Sequence, residues 1–163
     1  MSAITQEDWL QYLRPSVGGR PTAATVKVYR PVSETEEPSR LAKDPRLTAS
    51  HMQIDRVAVL SKDWDGHGSA KPNEQAVERA RQLLEDAFRD TTTTVGWQSP
   101  YISASEDGEI IFEWWNGVRK LTIYVGTEQS TFLKSWGPHI VNEMEDGVLA
   151  QTWDPALCVW LFR

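Results

Sequence analysis

The 163-residue chain has a single cysteine, Cys158. It can form no internal disulfide and cannot build a zinc cage alone, which excludes a disulfide-stapled framework and a cysteine-rich zinc site. No apolar run approaches the roughly 18 residues that a membrane-spanning helix needs. The stretch from Met1 to Tyr12 carries Glu7 and Asp8 and lacks the basic and apolar pattern of a secretory leader, so a cytoplasmic protein is expected. Ten glycines and nine prolines are near average and exclude collagen-like and low-complexity classes. Catalytic signatures are missing too. There is no GxSxG elbow, P-loop, GxGxxG or HExxH motif, and His51, His67 and His139 are scattered. Nor is there an excess of cations. Residues 1–50 carry seven Lys/Arg and six Asp/Glu, residues 51–163 ten and seventeen, which sums to the net charge of −6. An acidic body disfavours nonspecific nucleic-acid binding, which works by displacing counterions with cations, and it disfavours anionic membrane surfaces. It suits a basic protein partner through electrostatic steering. A charge of this size also serves the solubility of any small domain.

What is present is a globular composition, 40% hydrophobic and 25% charged, enough for one sizeable core. Residues 1–50 read as an N-terminal arm. Thr5 can cap a short helix in which Trp9, Leu10, Tyr12 and Leu13 form an apolar face, and Pro15 ends it. From Pro15 to Ser50 the chain has five prolines and the Gly18-Gly19 pair, and only Thr25–Tyr29 alternates like a strand. Ser33 to Pro38 reads as a polar loop. The arm is too polar to form its own core and is expected to pack on the body or on a partner.

Residues 51–163 read as one domain. A helix is expected over Ser50–Ser61, then a polar loop over Lys62–Pro72. A second helix starts near Asn73 with the stripe Ala76, Val77, Ala80, Leu83, Leu84, Ala87 and Phe88. The run Thr91–Thr94 with Gly96 is expected to break it. The period then changes to two. Strands are expected over Trp97–Ala104, interrupted at Pro100, and over Glu109–Trp115, Val118–Val125 and Gln129–Trp136, with hairpin signals at Asp107-Gly108 and Asn116-Gly117. Ile110, Phe112 and Trp114 share one face with Leu121, Ile123 and Val125 of the next strand, facing the helical stripe. Glu113, Trp115, Thr122 and Tyr124 share the other. Asp154 and Pro155 start a closing helix so apolar that it must be buried against the body or a partner. The expected fold is α+β, an antiparallel four-stranded meander packed against helices.

The candidate chemistry is thin. Asp63-Trp64-Asp65-Gly66-His67-Gly68 places two carboxylates and an imidazole at alternate positions, a set able to hold a hard or borderline metal. As a calcium loop it fails on register. Counted from Asp63, the fifth position is His67 and a glycine falls at position four, although Gly68 stands at position six and Glu74 at position twelve. The structural reading is a turn in which Asp63 or Asp65 accepts backbone N–H bonds, the glycines supply positive φ and Trp64 plugs the core. Glu113, beside Trp114 and Trp115, is either a general acid with a raised pKa or an ion-paired residue facing Arg119 or Lys120. Cys158 lies in the most apolar stretch and reads as a small buried hydrophobe. Neither a metal nor a cofactor is expected. Eight tryptophans are the compositional oddity. Trp suits positions dry at one end and hydrogen-bonded at the other, as at interface anchors.

Three pieces together resemble a large set of small, mostly uncharacterised bacterial proteins often found on mobile or phage-linked DNA. They are Trp64-Asp65-Gly66-x-Gly68 followed by Ala70-x-Pro72, then Pro100-x-Ile102 with Asp107-Gly108-Glu109-Ile110-Ile111-Phe112-Glu113-Trp114, and finally Met144-Glu145-Asp146-Gly147 with a closing apolar helix. The resemblance covers about residues 52–163 and carries no catalytic residues. It implies a cytoplasmic accessory protein, the neutralising or binding half of a two-gene system.

The reading that follows is a non-enzymatic interaction module, antitoxin-like or immunity-like, that meets a basic protein. Trp115, Tyr124 and Glu113 are its expected contacts, with Trp9 and Tyr12 as further anchors. Three alternatives remain. One is an acidic inhibitor that mimics nucleic acid. Another is a metal-dependent hydrolase on Asp63, Asp65, His67 and Glu113. The last is a subunit that self-associates through Trp160, Leu161 and Phe162.

Overall fold

Each helix starts on a side-chain cap that the sequence supplies. The computed structural model describes residues 44–139, 141–149 and 152–163; the expectations for Trp9, Tyr12, the Thr25–Tyr29 strand and the rest of residues 1–43 lie outside them. Helix α1 is Pro45–Ala58. Asp44 accepts from the Arg46 backbone N–H at 2.8 Å, and Pro45 sits where a missing N–H costs nothing. The helix was expected from Ser50, so it begins five residues early and crosses the boundary drawn between residues 50 and 51. Pro45 with Asp44 before it is a helix start signal, not one more break in a proline-rich segment. Leu47, Ser50, Ile54 and Val57 form the buried stripe. Ser50 is tolerated there because its hydroxyl donates to the Arg46 carbonyl at 3.2 Å.

Helix α2 is Glu74–Thr94, capped by Asn73, and buries the predicted stripe. The threonine run does not break it. Thr91, Thr92 and Thr94 donate their hydroxyls to the carbonyls of Ala87, Phe88 and Asp90, at 2.6, 2.6 and 2.8 Å, so each finds a partner without leaving the helix. The stop comes at Gly96, with φ +86 and its N–H bonded to the Thr91 carbonyl at 2.8 Å. Helix α3, Pro155–Phe162, starts at Asp154 as expected. Leu157, Cys158 and Leu161 are buried in the core of the same chain, and Trp160 and Phe162 pack against it. Its apolar character is thus accounted for within one molecule.

The sheet is an antiparallel meander of five strands, not four: β1 Tyr101–Ala104, β2 Ile110–Asn116, β3 Arg119–Val125, β4 Ser130–Ser135 and β5 Met144–Leu149, in that spatial order. The first is shorter than expected and starts just after Pro100. The fifth was missed because Glu145-Asp146-Gly147 has the composition of a turn. Pairing with β4 overrides that composition, and Gly147 stands opposite Phe132. A Cβ at Gly147 would come within 2.7 Å of the Phe132 ring, so glycine lets that ring lie across the strand.

The helices pack chiefly on one face of β1, β2 and β3. Ile110, Phe112, Leu121, Ile123 and Val125 are fully buried there. Each large side chain of this set contributes about 1.5–3 kcal/mol by burial. Trp114 is 3% exposed, and its indole N–H donates to the Gln98 carbonyl at 2.9 Å. Trp153 lies in the loop before α3 and is nonetheless a core residue, 5% exposed, with its ring centroid 5.9 Å from that of Trp114.

Candidate interaction surface

Strand alternation gives the sheet a second face, directed away from the helices. The register aligns Tyr101, Glu113, Thr122, Leu133 and Asp146 across it in one row, and Trp115, Lys120, Ser135 and Met144 in another. Trp115 is 50% exposed, Tyr101 58% and Val148 64%. The Tyr101 and Trp115 ring centroids are 6.5 Å apart. Lys120 lies over Trp115, its ammonium 5.1 Å from the ring centroid, and forms an ion pair with Glu113. Of the two partners named for Glu113, the structure selects Lys120. Glu113 therefore stands as a paired cross-strand carboxylate. The ammonium that neutralises it is the one that braces Trp115.

Trp115, Glu113 and Tyr124 thus lie on one face, as the alternation predicts, with Tyr124 half-buried between Ile111 and Thr131. Tyr101 was not singled out from the sequence. The signal was there, since Ile102 and Ala104 point to the core and leave Tyr101 and Ser103 outside.

The Asp63–Gly68 loop is held by its own carboxylates. Asp63 has φ 64, Gly66 φ 75 and Gly68 φ 92, three left-handed residues in six. Asp63 Oδ1 accepts from the Gly68 N–H at 2.7 Å, and the Asp63 N–H donates to the Ser69 carbonyl at 2.8 Å. Asp65 accepts from the Ser69 hydroxyl at 2.5 Å and from the His67 N–H at 3.0 Å, and these bonds hold its pKa below the ordinary carboxylate value. Trp64 is not the expected plug. It is 38% exposed, because the carboxylates fix the loop and Trp114 and Trp153 fill the core.

The segment that follows the loop, Ala70 to Asn73, grips the β1–β2 turn. The Ala70 N–H donates to the Glu106 carbonyl at 2.7 Å and the Asn73 N–H to the Gly108 carbonyl at 2.9 Å. Gly108 has φ +82, and a Cβ there would meet the Lys71 carbonyl oxygen at 2.6 Å. Two of the three sequence pieces that carry the resemblance, around Trp64-Asp65-Gly66 and Asp107-Gly108, are therefore one structural latch. Asp63, Asp65, His67 and Glu113 do not converge: among the described residues, no three His, Cys, Asp or Glu side chains are grouped to hold a metal ion. Cys158 is buried, and burial pushes its thiol up to about 12. No family model, curated protein or solved structure matches the chain.

Proposed function

We propose that the chain is a bacterial protein–protein interaction module, of the antitoxin or immunity kind, that docks a basic protein on the open face of its sheet. The observation that carries this reading is the exposed Tyr101–Trp115 pair on a face of the sheet turned away from the helices. A pair of neighbouring exposed rings, tilted at 55° to each other, with the adjacent charges already matched is the make-up of an interface anchor: large area, little conformational entropy to lose and no unpaired ion to desolvate. The excess of seventeen acidic over ten basic residues in 51–163 supports a basic partner.

The test is co-purification of the intact chain from its host at moderate salt, with Trp115→Ala and Val59→Ala run beside it. A stoichiometric basic protein retained by wild type and Val59→Ala but lost with Trp115→Ala supports the reading. Retention by all three, or an acidic partner, refutes it.

A second reading, the acidic inhibitor that mimics nucleic acid, draws on one arrangement. The β1–β2 turn with Glu106, Asp107 and Glu109 and the β3–β4 turn with Glu128 lie at the same end of the meander, and Ala70 and Asn73, just after the loop that holds Asp63 and Asp65, are bonded to the first of them. It predicts that duplex DNA or RNA competes with the chain for the partner. Absence of competition at low salt removes it.

A further inference from the structure

We infer that a cleft on the opposite, helix-bearing side of the sheet, at the Asn116-Gly117 hairpin, binds a carboxylate attached to a flat apolar body. The cleft has a volume of about 420 Å³ and is lined by Val118, Arg119, Trp136, Glu145 and Trp160. That size lies within the range of small-molecule sites. Trp136 and Trp160 meet edge to face, with centroids 6.1 Å apart and planes at 68°. Glu145 does not neutralise Arg119; it pairs with Lys134 at 2.8 Å. Lys134 in turn lies 5.5 Å from the centroids of both Phe132 and Trp160, so it is fixed from two sides.

Among the described residues no carboxylate pairs with Arg119, whose guanidinium lies 5.7 Å from the Trp160 ring centroid, and it is the charge left to a ligand. One N–H of its guanidinium donates to the Trp160 carbonyl at 2.6 Å, which caps the C-terminus of α3 and anchors the side chain. A guanidinium has five N–H donors in a rigid plane, and a carboxylate matches two of them at once. Trp160 carries the two cations Arg119 and Lys134 against its ring, and the Trp136 indole beside them favours a flat apolar body. A phosphate dianion fits less well, because one cation cannot balance it and Glu145 stands beside it. This site is independent of the docking face, which lies across the sheet.

The experiment follows the indole N–H resonances of the full chain by NMR during titration with 3-phenylpropionate and with its amide. The expected result is saturable shifts of Trp136 and Trp160 with the acid and binding about tenfold or more weaker for the amide, the size of a charge-assisted hydrogen bond. A short peptide ending in a free phenylalanine carboxylate, against its amidated form, separates the sources. Tighter binding of the peptide than of the free acid assigns the site to a chain terminus, and the reverse assigns it to a small organic acid. Trp136→Ala leaves the Arg119 cap intact and should weaken the acid about fivefold or more while the Trp115 resonance is unchanged. Equal affinity for acid and amide, or no saturable shift up to about 10 mM, overturns the assignment.

Discussion

At the scale of single residues, two adjacent tryptophans meet opposite surroundings. Trp114 and Trp115 differ by one position, and in a strand one position is the other side of the sheet. Trp114 is 3% exposed and hydrogen-bonded through its indole, whereas Trp115 is 50% exposed and braced by Lys120. Truncating Trp114 to Ala opens a core cavity and should cost about 3–5 kcal/mol in urea unfolding. Truncating Trp115 to Ala should cost less than about 1 kcal/mol and abolish partner binding. If Trp115→Ala unfolds the protein as Trp114→Ala does, the open face is not an interface. Cys158 offers a second reading at this scale. Burial, reinforced by the nearby charge of Asp90, holds its thiol at about 12, so at pH 8 it is protonated as well as enclosed. Its reaction with a disulfide reagent should proceed only at the rate of unfolding. A fast reaction in the native protein would mean that α3 detaches from the body.

Among the elements, the latch between the Asp63–Gly68 loop and the β1–β2 turn decides more than its length suggests. Gly108 combines a left-handed backbone with a backbone oxygen 2.6 Å from where a Cβ would sit, whereas Gly117, at φ +60, faces open space. Gly117→Ala should therefore cost about 1–2 kcal/mol from the backbone alone, and Gly108→Ala distinctly more, measured by the shift in urea midpoint. Acid should open the latch from its other side. The folded pKa of Asp65 is lowered, first by the Ser69 hydroxyl and then by the His67 N–H. The stability it lends is present above the ordinary Asp value of about 4 and is lost as pH falls through the lower folded value. Exchange protection of the His67 and Ser69 amides should fade below about pH 4 while that of α2 persists, and Asp65→Asn should flatten the dependence. The stripe of α2, the Asn116-Gly117 hairpin and the Asp154 cap were legible in the sequence because each is a local signal. The fifth strand was not, since Glu145-Asp146-Gly147 owes its conformation to β4. The same holds for the Thr91–Thr94 turn of helix, where hydroxyl-to-carbonyl bonds cancel the expected break. The exposure of Trp64 was hidden for a related reason. Whether an aromatic plugs a core depends on what else fills it, here Trp114 and Trp153. At the candidate site, alternation placed Trp115, Glu113 and Tyr124 on one face, but the pairing of Trp115 with Tyr101 depends on a strand register that a single sequence does not print.

For the molecule as a whole, the order of the meander gathers four turn carboxylates at the end of the sheet away from Trp115. The β1–β2 and β3–β4 turns, with Glu106, Asp107, Glu109 and Glu128, share one end of the sheet. Trp115, paired with Lys120, lies toward the other, beside the Asn116-Gly117 turn. A basic protein seated across the open face would thus meet long-range attraction at one end and a desolvated anchor at the other. These act on different rates. Charge acts before contact and sets association, within a Debye length of about 10 Å at 0.1 M salt. Aromatic burial acts after contact and sets dissociation. Reversing Glu106 and Asp107 to Lys should slow association by about tenfold at low salt, leave dissociation nearly unchanged, and lose that effect above about 0.5 M salt. Trp115→Ala should do the opposite, speeding dissociation at every salt concentration with association little altered. The two sets of changes are far enough apart for their effects to add in the combined variant. Stopped-flow or surface-binding kinetics with the co-purified partner would resolve both rates. If the charge reversal alters dissociation as strongly as association, those carboxylates are contacts themselves, and the acidic end rather than the aromatic face is where the partner sits.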